Sequence, residues 1–387
     1  MKKITFVIMV FIMIFVLPGC YCSKQIKIGK RKIVGNLKLV QINSKWNVEG
    51  LEDENVREEV IPDGLGIEGI YEKAFGECKK LKKVTINACI KRIYKQAFQH
   101  CVSLRSITLP NSLETIGNAA FYGCESLEEL NLPNNLKKIG IHAFERCLSI
   151  KEIVIPNNIT LINDWLFMSC ESLEKIKILG NVKRIGNNAF NGCKNLVEIN
   201  IPSSLEEIDF SAFLNCESLK KIELPNGLKA INYSAFSFCK NLEEITLPRT
   251  INVIDNHTFS GCESLKKVQI NGKVSKIGQA AFSGCSSLKE IKIPSSVKKI
   301  DDVAFSNCYS FEYIIIPKSV NEIGEKAFFE CSENLKIYYA GDAEEWSDIN
   351  KNSDILKHKN YYYSELKPLN NINDYWHYVD GKPVVWE

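Results

Sequence analysis

Cysteine is the residue type that most invites a chemical reading of this 387-residue chain. There are 15, and twelve recur at a spacing of 23, from Cys78 through Cys331. Thiols held in register can bridge neighbouring units as disulfides, bind a metal as thiolates, or lie buried as small apolar side chains with a weak S–H donor. Each Cys stands between a Phe three places earlier and the next Leu, which favours the buried thiol, while adjacent disulfides stay geometrically open. Metal binding has little support, because no His or second Cys recurs at ligand spacing. Cys89 lies off the series and receives no assignment.

Other chemical patterns are weaker. Gly64-Leu65-Gly66-Ile67-Glu68-Gly69 matches a dinucleotide-binding pattern by letter, but no strand and helix frame it, so it reads as the loop of a first unit. There is no His-Glu-x-x-His and no Gly-x-Ser-x-Gly, and His100, His142, His257, His358 and His377 have no recurrent acid partner. His377, between Trp376 and Tyr378, reads as a packing residue. Asn158, Asn232 and Asn256 open glycosylation sequons, read as chance matches beside a bacterial-type leader. No catalytic residue, cofactor or metal is expected.

The elements that position these residues follow from one period. Phe recurs every 23 residues from Phe75 to Phe328, twelve times without insertion, with Ile five places before each. Such a register predicts coils that stack on their neighbours. Within a coil, Ile291 and Ile293 alternate with Glu290 and Lys292, as in a short strand with one buried face. Pro follows at 110, 133, 156, 202, 225, 248, 294 and 317 and ends the strand, having no N–H for the ladder. After a second apolar pair such as Val297 and Ile300 stands Gly, Asn or Asp, exemplified by Asn232, Asp255 and Gly278. These residues tolerate positive φ, so a sharp corner is expected there. Ala-Phe-x-x-Cys then suits a single helical turn. The expectation is a β-rich repeat solenoid, right-handed and curved, with short parallel strands and short helical turns.

Leu-x-x-Ile-x-Ile-Pro followed by x-x-Ile-Gly-x-x-Ala-Phe-x-x-Cys resembles the BspA-like leucine-rich repeat, from about Ile61 to Tyr339. The resemblance implies a horseshoe of twelve coils and an exported or surface protein of bacteria, in some cases an adhesin for host or matrix proteins. No ligand carries over residue by residue. The expected division is residues 1–19 as signal peptide, 20–60 as linker and cap, 61–340 as solenoid and 341–387 as an aromatic-rich cap.

Lys2 and Lys3, an apolar run from Ile4 to Leu17 and then Pro18-Gly19-Cys20 suit an export signal and are too short to span a bilayer comfortably. Leu17, Gly19 and Cys20 resemble a lipobox, which implies lipidation of Cys20 and membrane attachment through the N-terminus; Pro18 departs from the pattern. The formal charge of +3 falls to +1 once Lys2 and Lys3 are removed, so nothing points to nucleic acid.

Two outward columns run along the strands. One reads Lys175, Glu198, Lys221, Glu244, Lys267 and Glu290, alternating in sign and able to pair with itself. Near the C-terminal end it gives way to Tyr313, with Ile315 and Tyr338 beside it. Outward apolar residues need a partner or a cover. The expected function is therefore binding of a protein or glycan through the concave face, centred on Tyr313, Ile315 and Tyr338 with Glu290 and Lys292 beside them. The competing readings are that the cap folds over this patch, and that the solenoid is a structural spacer.

Overall fold

A computed structural model describes residues 27–349, 358–368 and 374–386. Each 23-residue unit is one coil with three sides, numbered here by its Phe from coil 1 (Phe75) to coil 12 (Phe328). The first side is the predicted strand, such as Glu290–Lys292 in coil 11, paired in parallel with Tyr313–Ile316 of the next coil. The second is a two-residue strand, as in Lys276–Ile277, Lys299–Ile300 and Glu322–Ile323, again parallel and shifted by one period. The third is the arc through Phe and Cys.

Repetition inside the coil produces columns of identical contacts. Twelve Phe rings stack from coil to coil with centroids 4.8 to 5.7 Å apart and planes within 22° of parallel. Each such pair is worth about 0.5–1.5 kcal/mol beyond the area it buries. The repeat cysteines are free thiols. From Cys101 to Cys331 each S–H donates to the Phe carbonyl of the preceding coil at 3.0 to 3.3 Å. A small apolar side chain with one donor fits this slot, and a valine would leave the bond unmade. Burial pushes the thiols from Cys124 to Cys308 upward in pKa, Cys170 to about 12.

Two local expectations are corrected. The corner residues Asn232, Asp255 and Gly278 do not have positive φ; it falls two places later, at Ser234 (55°), His257 (56°) and Ala280 (51°), and again at Phe238, Gly261 and Gly284. The arc is also not a helical turn. Cys78 N–H donates to Phe75 O and Gly76 N–H to Lys73 O, as in a 3₁₀ turn, but the intervening Phe75 and Glu77 donate across to Ala97 and Gln99 of the next coil. Overlapping turns that alternate internal with inter-coil bonds require the two left-handed residues.

Glycine occupies the corner for room rather than for φ. A Cβ on Gly278 would lie 2.6 Å from Asn256 Oδ1, and one on Gly324 would lie 2.4 Å from Asp302 Oδ1. Those oxygens accept the backbone N–H of Gln279 and Glu325. Gly140 and Gly186 stand in the same relation to Asn118 and Asp164. In other coils the corner residue supplies its own polar group instead, as when Asn232 Nδ2 donates to Asp209 Oδ1 at 3.0 Å.

The ends are closed by different elements. At the N-terminus β1 (Ile28–Val34), β2 (Leu37–Ile42) and β3 (Lys45–Leu51) form an antiparallel meander, and β3 pairs in parallel with Ile67–Ile70, the second side of coil 1. Gly64 and Gly66 are positive-φ turn residues before that strand. Gly69 lies within it, where a Cβ would meet Arg92 O and Asn47 Oδ1 at 2.8 Å. Positive φ accounts for Gly64 and Gly66, and close packing for Gly69. At the C-terminus the first side continues through Lys336–Tyr339 to Lys359–Tyr363, again 23 residues on, and then to Tyr375–Val379. Asp380 and Gly381, both at positive φ, turn that strand back as Lys382–Val385. Two positive-φ residues are what a two-residue hairpin of this hand demands. Among the described residues no helix is long and apolar enough to cross a membrane.

Candidate functional site

The outward residues of the first side make the candidate site, because the strands fix their direction and the core leaves them free to vary. Glu290 and Lys292 are exposed, as expected. Tyr313 and Ile315 are half-buried. Tyr338 is corrected: it keeps 5 % of its surface and belongs to the interior of the cap. Its ring meets Tyr361 at 5.0 Å and Trp376 at 5.5 Å, and Trp376 Nε1 donates to Tyr339 O at 2.9 Å. Trp376 is thus the cover. Trp346, on the helix Ala343–Ile349, packs against Tyr339 instead.

The cap does not close over the remainder of the patch. The hairpin around Asp380 and Gly381 stands off the sheet and leaves a cleft of about 580 Å³. Tyr313, Ile315, Glu290 and Lys292 line one side of it, and Tyr378 and Gly381 the other. Tyr378 is half exposed and rests edge-on against Trp376 at 4.9 Å. The Tyr313 hydroxyl donates to the Glu290 carboxylate. Burial, together with that carboxylate, raises the Tyr313 pKa to about 12, so the hydroxyl remains a donor across the physiological range. Four of the five predicted residues are therefore brought together, and the cap contributes Tyr378, which the sequence reading did not select. The Asp-Gly pair that turns its hairpin was the available signal.

A second signal lies in the proline row, which skips positions 87, 179 and 271, four coils apart. In those coils the chain after the strand is drawn inward: a Cβ on Gly272 would lie 2.1 Å from Ile251 O, and one on Gly180 2.5 Å from Ile159 O. Gly272 is buried, whereas Ser295, at the same place in the next coil, is exposed. The notch in coil 10 adjoins the cleft as a groove of about 770 Å³ sharing Glu290, Lys292 and Pro294 with it.

Charge along the middle of the face is partly self-paired, with Lys175 to Glu152 at 3.8 Å and Lys221 to Glu244 at 3.6 Å. Away from this face His142 contacts Glu145 and stacks on Trp165, a local pair that does not recur. Among the described residues no group of three or more His, Cys, Asp or Glu is placed to hold a metal. Cys20 lies outside the described residues.

No curated protein matches the chain. Among solved structures, a leucine-rich repeat protein from Bacteroides ovatus is 27 % identical with a TM-score of 0.57, over 86 % of this chain and 99 % of its own. A leucine rich cell surface protein from Faecalibacterium prausnitzii is 24 % identical with a TM-score of 0.52, over 84 % and 98 %. The profile of the BspA type leucine-rich repeat region (6 copies) matches residues 51–174, 160–286 and 252–353. With coils, columns and most of its length accounted for by that profile, the chain belongs to the BspA-type leucine-rich repeat family.

Proposed function

We propose that the chain is an exported binding protein of the cell surface that engages a protein or glycan at the cap end of its sheet face. The observation that carries this reading is the cleft in which Tyr313, Ile315 and Tyr378 meet Glu290 and Lys292. Aromatic and apolar walls with a few charged groups at the lip are the make-up of a recognition site. Export rests on the leader of residues 1–19, and attachment to the membrane rests on lipidation of Cys20, which follows it. Fatty-acid labelling of the protein and of Cys20→Ala tests the anchor: label in the first and none in the second is expected, and label in both overturns it. Binding is tested by screening the chain and a Tyr313→Ser/Tyr378→Ser variant on arrays of glycans and matrix proteins. Loss of the wild-type signals in the variant supports the cleft, and their retention refutes it.

The spacer reading is favoured by the paired charges between coils, such as Lys183 and Lys229 on Glu206 at 2.9 and 2.7 Å. A spacer yields no array signal in either protein.

A further inference from the structure

The groove beside the cleft has a composition that the cleft alone does not explain. Its lining holds four lysines, Lys266, Lys267, Lys273 and Lys292, against one carboxylate, Glu290. Lys266 is engaged by Glu243 at 3.3 Å, and Glu290 accepts from Tyr313. Among the described residues, Lys267, Lys273 and Lys292 have no carboxylate within ion-pair distance. Three exposed ammoniums thus share one recess, whereas Lys221 on the same face sits between Glu223 at 3.4 Å and Glu244 at 3.6 Å.

The backbone ladder of the first side is also interrupted there, as it is after Glu129–Leu130 and after Glu198–Ile199. The hydrogen-bonded ladder of the first side runs from Glu244–Leu247 to Lys267–Ile270 and starts again only at Glu290–Lys292. Facing backbone groups of coils 10 and 11 are not joined by ladder bonds, and Gln269, which donates to Asn271 Oδ1 at 3.1 Å, Asn271 and Ser295 add exposed amide and hydroxyl groups around them. Groups that both donate and accept suit hydroxyls.

From this charge, polarity and shape we infer that the groove binds an acidic polysaccharide, with Lys267, Lys273 and Lys292 on its acid groups. Gln269, Asn271 and Ser295 meet its hydroxyls, and the chain runs on between Tyr313 and Tyr378. Ring walls take the apolar faces of sugars, as aromatic side chains do for ligands with one greasy and one wet side. A nucleic acid would need a broader basic field than a chain of net charge +3 with alternating columns presents. The inference rests on the cleft as a binding site and adds the class of its ligand.

The test measures binding of the full chain to immobilised hyaluronate and heparin, with neutral dextran and poly-glutamate as comparators. Lys267→Gln/Lys273→Gln/Lys292→Gln is set against Lys183→Gln/Lys194→Gln/Lys240→Gln, which removes the same charge from ion-paired lysines elsewhere. Far-UV circular dichroism checks that both fold. The expected result is binding to at least one acidic polysaccharide, weakened at least tenfold by the groove variant and less than twofold by the control. Heparin without hyaluronate would assign sulfate as the recognised group, and binding of both would assign the carboxylate. Equal losses in the two variants, equal binding of dextran or of poly-glutamate, or no binding to either acidic polysaccharide would overturn it. The cleft reading survives all three of those results, since it fails only if Tyr313→Ser/Tyr378→Ser leaves every array signal unchanged.

Discussion

Coils 5 to 9 and coils 10 to 12 share one interior and differ on one outward face. Inside, Phe213 and Phe305 stack on their neighbours in the same way, and Cys216 and Cys308 donate to equivalent carbonyls. Outside, Lys175, Glu198, Lys221 and Glu244 alternate, whereas the later coils present unpaired lysines and then Tyr313, Ile315 and the cap's Tyr378. An invariant backbone with a changing face separates what the fold needs from what a partner reads. The same separation is visible within one coil, where the core columns tolerate no change of volume and the outer columns tolerate most.

The largest expected effect comes from the thiol column. The folded-state pKa of each buried thiol is raised, so its contribution to stability is complete below the unfolded value of about 8.5 and is lost as pH rises toward the folded value. Between those limits each thiol costs about 1.4 kcal/mol per pH unit, and the column acts together. Thermal melts from pH 7 to 10.5 should therefore fall steeply above pH 9, with thiolate absorbance appearing only as the coils unfold. Thiolate that appears in the folded protein would show that the column is not sealed.

A single interior change comes next. Phe213→Ala should cost about 3–5 kcal/mol in denaturant unfolding, and Lys221→Ala should stay within about 0.5 kcal/mol. Comparable losses would erase the distinction between core and face. Gly278→Ala should cost about 1–3 kcal/mol, because its methyl has no room beside Asn256, while Asp255→Ala in the same slot should cost about 1 kcal/mol or less. Equal costs would return the corner to an account based on φ. Smallest of all, Tyr313→Phe should leave stability nearly unchanged and remove one tyrosine titrating near pH 12 from the ultraviolet titration curve.

The fold was legible because period and residue type coincide: Phe, Cys, Ile and Leu at fixed places each encode one column. The corner was misread because Gly, Asn and Asp share two properties, tolerance of positive φ and compact polar or absent side chains, and the second decides here. The left-handed residues Ala280, His257 and Ser234 carry no common chemistry, since the bonds between coils impose their conformation. Tyr338 was misplaced for a different reason. Its column continues as Tyr361, 23 residues later, so an outward position on the strand that follows coil 12 becomes an inward one once a further strand and Trp376 are laid beside it. Glu290, Lys292, Tyr313 and Ile315 were legible from alternation alone.

The central claim, that the cap end of the face binds and its middle does not, is tested most directly by one array experiment with three proteins. Wild type, Tyr313→Ser/Tyr378→Ser and Lys175→Ser/Lys221→Ser are applied to the same glycan and matrix-protein array. The account predicts that signals seen with wild type persist in the lysine variant and disappear in the tyrosine variant. Signals that persist in the tyrosine variant and vanish in the lysine variant would contradict it.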